Sequence, residues 1–301
     1  MEIVKPGTRY DFIGKRRVTY FISLALVTVA LVVMVKPGLR LGVEFRGGWE
    51  CELGFGKPVE VRDFRASLAG SGTELLQGVE IQRLGDPEEG NYLIRGTGEA
   101  EEARVVSSLQ AALSGQGDIQ VRRFESVGAR VGSDLLERAI IALLVALAGI
   151  MIYLSMRFSW RFAPGAVLAL IHDVLVATGV VTLLGIEFTL PVLAALLALI
   201  GFSTNDTVVV YDRIRENLRR RRRPDFATLI NVSLNEILGR TILTSGALLV
   251  VAVSLLLFGG PVLRDFALTL SVGVIAGTYS SVFVAGALTL EIEKRWPAPK
   301  F

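Results

Sequence analysis

The sequence predicts a polytopic α-helical membrane protein with six transmembrane helices and one α+β, ferredoxin-like domain outside the membrane, between the first and second helices. Three observations carry this. Of the 301 residues 51% are apolar, and the mean hydropathy is +0.53. The charged residues, 32 Lys and Arg against 29 Asp and Glu, gather between long apolar stretches. Six of those stretches reach the roughly 17–20 apolar residues that a helix needs to cross a bilayer core.

In chain order the predicted spans cover residues 18–35, 139–156, 163–184, 188–211, 241–258 and 266–290. Lys15, Arg16 and Arg17 precede the first, as in a signal peptide. Its apolar run is longer than the h-region of such a peptide, and no Ala-x-Ala pattern closes it, so it reads as a retained anchor.

Orientation follows from Lys and Arg in the short connections. Lys5, Arg9, Lys15, Arg16 and Arg17 lie before the first span, and Arg157 and Arg161 lie between the second and third. Seven more fall between positions 213 and 223, and Lys294, Arg295 and Lys300 follow the last span. The two short connections on the other side carry only Arg264. This bias puts residues 1–17 and the tail 291–301 in the cytoplasm and residues 36–133 outside, with five helices in 134–290. The basic run 219–223 is read as a loop resting on anionic lipid headgroups. Its alternative is an RNA- or ribosome-binding patch; no nucleic-acid partner is expected.

The outside segment reads as βαββαβ, the split-βαβ order of ferredoxin-like domains. It opens with a strand region over 41–55, interrupted at Gly47-Gly48, and a helix over 58–68. Strands over 79–84 and 92–95 follow, joined by the turn signal 85–91. An amphipathic helix over 99–113, acidic at its start as the helix dipole prefers, leads into a last strand over 119–127. The pattern assigns no function. With no clustered acids or metal ligands, a protein- or peptide-contacting surface is favoured over a catalytic one.

Several function classes drop out. Cys51 is the only cysteine and His172 the only histidine, which leaves no intrachain disulfide and no cysteine metal site. Neither Gly56-Lys57 nor Gly14-Lys15 has the earlier glycine of a Walker A motif; Cys51 and Arg9 stand there. No ATP hydrolysis, cofactor or metal is expected.

An ionisable side chain inside a span costs from about 2.5 kcal/mol upward and needs a partner, water or a function. Asp173 lies nine residues after Pro164 on the third span, roughly 13 Å from its cytoplasmic end. Asp206 lies seven residues before Arg213, roughly 10 Å from the same face, and Arg240 begins the fifth span on that side. The functional reading is a proton relay of Asp206, Arg240 and, less centrally, Asp173, with Arg240 as fixed counter-charge. The plain alternative is a static ion pair that sets helix packing, with Arg240 snorkelling to the headgroups. His172 is expected to point away from Asp173, because side chains at i,i+1 do not share a helix face. Gly273 and Gly277 form a GxxxG that permits close helix approach.

Specific strings then bring a family into view. Gly201-Phe202-Ser203-Thr204-Asn205-Asp206-Thr207, continuing through Tyr211-Asp212-Arg213 to Asn217, resembles the most distinctive signature of the SecF family. Gly42-Val43-Glu44-Phe45-Arg46-Gly47-Gly48 is similar to that family's entrance to its outer domain, with Glu44 where Asp is usual. Ser126-Val127-Gly128, the Arg157–Ala163 turn, His172-Asp173 and Gly239-Arg240-Thr241 also match. The resemblance implies a non-enzymatic subunit that pairs with SecD within the resistance-nodulation-division superfamily. It further implies association with the SecYEG translocon in the inner membrane, YajC as an additional partner, and use of protons to draw unfolded chains across. By the same carry-over Asp206 and Arg240 match positions assigned to the proton pathway. Two rival classes remain: a scaffold without proton coupling, and a small-molecule or lipid exporter of the same superfamily, which would usually be longer.

Overall fold

A computed structural model of the chain describes residues 8–56, 59–84, 90–117, 119–158, 160–220 and 225–296. Pro58, the turn residues 85–89, the basic residues 221–223, Lys5 and Lys300 lie outside the described residues. In chain order the elements are α1 (Arg16–Val33), α2 (Val43–Arg46), β1 (Gly48–Phe55) and α3 (Val61–Gly70). Then come β2 (Glu80–Leu84), β3 (Asn91–Gly96), α4 (Glu102–Leu113), β4 (Ile119–Val127) and α5 (Ala129–Arg157). The remainder is helical: α6 (Ala163–Leu183), α7 (Leu190–Arg220), α8 (Phe226–Phe258), α9 (Gly260–Ser280) and α10 (Gly286–Arg295). A π-helical turn, Ser281–Ala285, joins α9 to α10 without a break.

Two compact units result, Leu41–Ile140 and the rest of the chain. The first holds one antiparallel sheet in the order β2-β3-β1-β4. Alternation along β1 sends Trp49, Cys51, Leu53 and Phe55 into the core, where they meet Tyr92 and Ile94 of β3. Phe64 and Leu68 of α3 and Val105, Leu109 and Leu113 of α4 cover them, as the period-2 and 3.6 patterns require. Phe55, Phe64 and Tyr92 meet edge to face, with centroids 5.2–5.3 Å apart. Gly96 lets the Trp49 indole lie flat on the neighbouring strand, since a Cβ there would come within 2.2 Å of the ring.

The strand expected from residue 41 starts only at Gly48. Before it the chain coils into α2, whose turn closes when the Arg46 and Gly47 amides donate to the carbonyls of Gly42 and Val43. Gly47 (φ 76°) and Gly48 (φ 117°) then reverse the chain through conformations that side chains disfavour. A Cβ on Gly47 would also strike the Ala129 backbone at 2.6 Å.

In the second unit, six helices among the described residues are long and apolar enough to cross a membrane. They outrun the predicted spans. α5 begins ten residues before position 139, α7 runs nine past 211, and α8 starts fifteen before 241. Hydropathy marks the apolar stretch, whereas the backbone ladder continues through polar turns wherever caps and i,i+4 partners support it. Asp225 starts α8 in this way, accepting from the Thr228 amide and hydroxyl, and those bonds hold its carboxyl below the usual range. The helices are unequally enclosed: 67% of the apolar window of α6, 50% of α7 and 67% of the last span is buried, against 17% or less for α1, α5 and α8. The polar centre is therefore built by α6, α7 and α9. Gly179 lets α6 pack against Ala30 of α1, where a Cβ would come within 2.6 Å of the Ala30 Cα. Gly273 and Gly277 lie in the same manner against Leu199 and Ser203 of α7.

Burial pushes the Cys51 thiol up to about 12 from an ordinary 9.0, and Glu102, Glu50 and Glu52 add to the effect. The thiolate is the reactive form. At pH 8 the folded chain should therefore react with a maleimide at least on the order of a thousandfold more slowly than the unfolded chain. Mass spectrometry of timed labelling checks this; comparable rates would contradict the burial.

Candidate functional site

The spacing of α7 sets the geometry. Ser203, Asp206 and Thr207 fall at i, i+3 and i+4 and so share one helix face, and all three are buried. Across from them α9 ends in Ser280, and Ser281 opens the π turn. Successive helical positions point about 100° apart, so these serines serve different neighbours: Ser280 reaches Asp173 of α6, and the Ser281 hydroxyl lies 3.2 Å from that of Thr207 on α7.

Asp173 is fully buried. Its Oδ2 accepts from the hydroxyls of Ser203 and Ser280, each at 2.7 Å, and its Oδ1 lies 3.0 Å from His172 Nδ1. Gly277 packs beside this carboxylate, and a Cβ there would crowd Ser203 Cβ at 3.2 Å. The contact with His172 corrects the sequence expectation. Nδ1 is the ring nitrogen nearest the backbone, and from there it reaches an adjacent carboxylate even though the two Cβ atoms diverge. His172 Nε2, on the far side of the ring, is buried without a hydrogen-bond partner. The ring lies 6.0 Å from that of Tyr279, whose hydroxyl bonds to the Thr19 carbonyl and lies 3.1 Å from Ser23 Oγ on α1.

Asp206 is bonded differently. Its Oδ1 accepts from Thr241 Oγ1 of α8 at 3.1 Å, while Oδ2 is buried outside hydrogen-bond geometry, with the Ser281 hydroxyl close enough to act on the carboxyl group. The expected ion pair with Arg240 is not formed. Arg240 is exposed, and its charge acts on Asp206 through space. Successive residues on a helix point about 100° apart, so Arg240 and Thr241 cannot both face α7. Thr241, fully buried, takes the inward position. The structure thus brings Asp206 next to Thr241 and Asp173 next to His172, Ser203 and Ser280, and it leaves Arg240 at the rim.

Spacing alone does not single out these hydroxyl partners. Two to three turns further along, α7 is tied to α8 by Arg213 Nε to Glu236 at 2.7 Å and by Asn217 Nδ2 to Glu236 at 2.6 Å and Ser233 at 3.0 Å. Among the described residues no three His, Cys, Asp or Glu side chains gather into a metal site.

The two carboxylates differ in what they can do. Both Asp173 oxygens are occupied by donors or a ring nitrogen, so a change of charge there would disturb α6, α7 and α9 together. Asp206 keeps one oxygen open and can take a proton without displacing a donor.

Six long apolar helices enclosing bonded carboxylates define a multi-pass membrane protein with a polar centre inside its helix bundle. The family of protein export membrane proteins SecD/SecF, C-terminal, matches residues 107–295. Proteins named protein translocase subunit SecF match nearly end to end. That of Magnetococcus marinus is 43% identical over 297 residues, covering 96% of this chain and 94% of the relative. That of Pseudomonas aeruginosa is 38% identical over 289 residues, covering 95% and 92%. The crystal structure of SecDF, a translocon-associated membrane protein from Thermus thermophilus, superimposes with a TM-score of 0.87 at 36% identity and 98% coverage of this chain. The chain spans 40% of that SecDF chain. It belongs to the SecF family of protein translocase subunits.

Each of Ser203→Ala and Ser280→Ala removes one donor from a fully buried carboxylate. Each should lower stability by about 1–3 kcal/mol. Thermal unfolding of the purified full-length variants in detergent reads this; an unchanged midpoint would show that Asp173 does not rely on those hydroxyls.

Proposed function

We propose that this chain is the SecF half of a SecDF unit in the inner membrane, where it pairs with SecD and associates with the SecYEG translocon, with YajC as a further partner. The unit uses the proton-motive force to draw unfolded chains across. Both termini are cytoplasmic in this reading, which rests on the Lys and Arg bias of the connections. The βαββαβ unit is then an extracytoplasmic ferredoxin-like domain that meets SecD or the emerging chain.

The observation that carries the mechanism is the open, buried Oδ2 of Asp206 opposite its bond to Thr241. A proton arriving at Oδ2 neutralises the carboxylate and weakens the Thr241 bond, which frees α8 to shift against α7. A proton crossing the whole potential supplies about 2.3 kcal/mol per 100 mV, enough to bias two such packings. Arg240 stays at the exposed rim of α8 as a nearby positive charge without a direct bond to Asp206. Asp173 with His172 is a second polar centre, and its complete set of bonds favours a positioning role over exchange.

Asp206→Asn keeps the shape and the acceptor for Thr241 but cannot cycle its charge. In vesicles holding the variant, SecD and SecYEG, export driven by the membrane potential should fall on the order of tenfold, a typical size for coupled equilibria. Should the variant accumulate normally, bind SecD and export at the wild-type rate, the Asp206 centre is static and the chain acts as a scaffold.

A further inference from the structure

One stripe of α8 does two jobs. Asn231, Asn235, Leu238, Ile242 and Ser245 recur at i, i+4, i+7, i+11 and i+14, so they line a single helix face. The last three wall a cavity of about 420 Å³ between α8 and the last span, together with Thr241, Tyr279 and Phe12, and it stands open along the apolar side where Ile242 and Ile275 are exposed. The first two hold the segment that brings Phe12 there. Asn235 pairs with Tyr10 as a neighbouring strand would, accepting the Tyr10 amide at 2.7 Å and donating to its carbonyl at 2.8 Å. One turn earlier, Asn231 accepts the Phe12 amide at 2.8 Å and donates to Asp11 Oδ1 at 3.2 Å. Phe12 then meets Phe283 of the π turn edge-on, with centroids 5.5 Å apart.

The two ends of this segment are held by different forces. Ile13 is 4% exposed within the main apolar core, whereas Tyr10 is 54% exposed and its backbone is held by the Asn235 amide. Apolar burial fixes the Ile13 end firmly. Polar bonds at an exposed edge open locally at low cost, because water replaces them. The cavity behind Phe12 adjoins both polar centres: Thr241 carries the bond to Asp206, and Tyr279 lies against His172. Ser245 Oγ, on its wall, is buried without a partner.

The geometry points to residues 8–12 as a latched lid on this cavity, with Ile13 as pivot, Phe12 as plug, and Asn231 and Asn235 as the latch. Latch and Asp206 contact share α8, so a shift of that helix acts on both. The lid itself does not depend on Asp206 exchanging a proton.

The test places a thiol on the cavity wall as Ser245→Cys in the full-length chain and measures its reaction with a water-soluble maleimide, without any membrane potential. Native Cys51 stays in place as a buried control for the unit Leu41–Ile140, and the thermal midpoint of each variant reports whether the helix bundle stays folded. Release of the latch by Asn231→Leu with Asn235→Leu should raise labelling of the introduced thiol roughly tenfold, the scale of losing a few exposed hydrogen bonds. Phe12→Ala, which removes the plug and leaves the latch intact, should do the same. If Cys51 becomes reactive in the double leucine variant, Phe12→Ala alone decides the matter. Labelling that stays at the parent rate in variants whose Cys51 remains protected and whose thermal midpoint is unchanged overturns the lid. Because no proton gradient is involved, that result is distinct from any failure of Asp206→Asn.

Discussion

A carboxylate inside a helix bundle has no water to fall back on, and the arrangement of this membrane unit follows from that constraint. Asp173 and Asp206 must find donors on neighbouring helices. Asp173 draws them from α7 and α9 as well as from its own histidine, and the three helices that meet there are among the most enclosed of the bundle. The small residues of the last span serve the same end. Gly277 packs closely against Ser203, and the successive hydroxyls of Ser280 and Ser281 face two different helices.

The two acids divide this constraint unequally. Complete bonding makes Asp173 a joint between helices, since any rearrangement there costs several charge-assisted bonds at once. Asp206 has one well-formed bond and one oxygen outside hydrogen-bond geometry, and the donor of that bond sits on α8, a helix with little burial inside this chain. A loosely enclosed helix bonded to an incompletely satisfied carboxylate is the element best suited to respond to a change of charge. The ties beyond it, Glu236 to Arg213 and Asn217, and Asn231 and Asn235 to residues 10–13, limit how far α8 moves at its N-terminal end.

The six spans were legible from hydropathy because a helix in lipid must be apolar over a minimum length. The helical ends beyond them were not, since caps and side-chain pairs, rather than hydropathy, decide where a ladder stops. In the unit Leu41–Ile140, an apolar run marked β1, a turn signal marked the pair β2 and β3, and an acidic start marked α4. Residues 41–47 misled because Val43 and Phe45 alternate like a strand while the glycines at 42, 47 and 48 let the chain coil and reverse.

The carboxylates themselves stood out in the sequence, because a charge in an apolar span is costly wherever it sits. Which neighbour satisfies each one was a tertiary matter. Arg240 and Thr241 are adjacent in the chain, and charge alone favours the arginine as partner of Asp206; the rotation of α8 about its axis turns the threonine inward instead. Likewise His172 and Asp173 diverge as neighbours on an ideal helix yet meet at 3.0 Å. Linear order thus determines which groups are buried in the bundle, through hydropathy and period. The partner of each is set by helix rotation and close packing at glycines, which depend on residues distant in the chain.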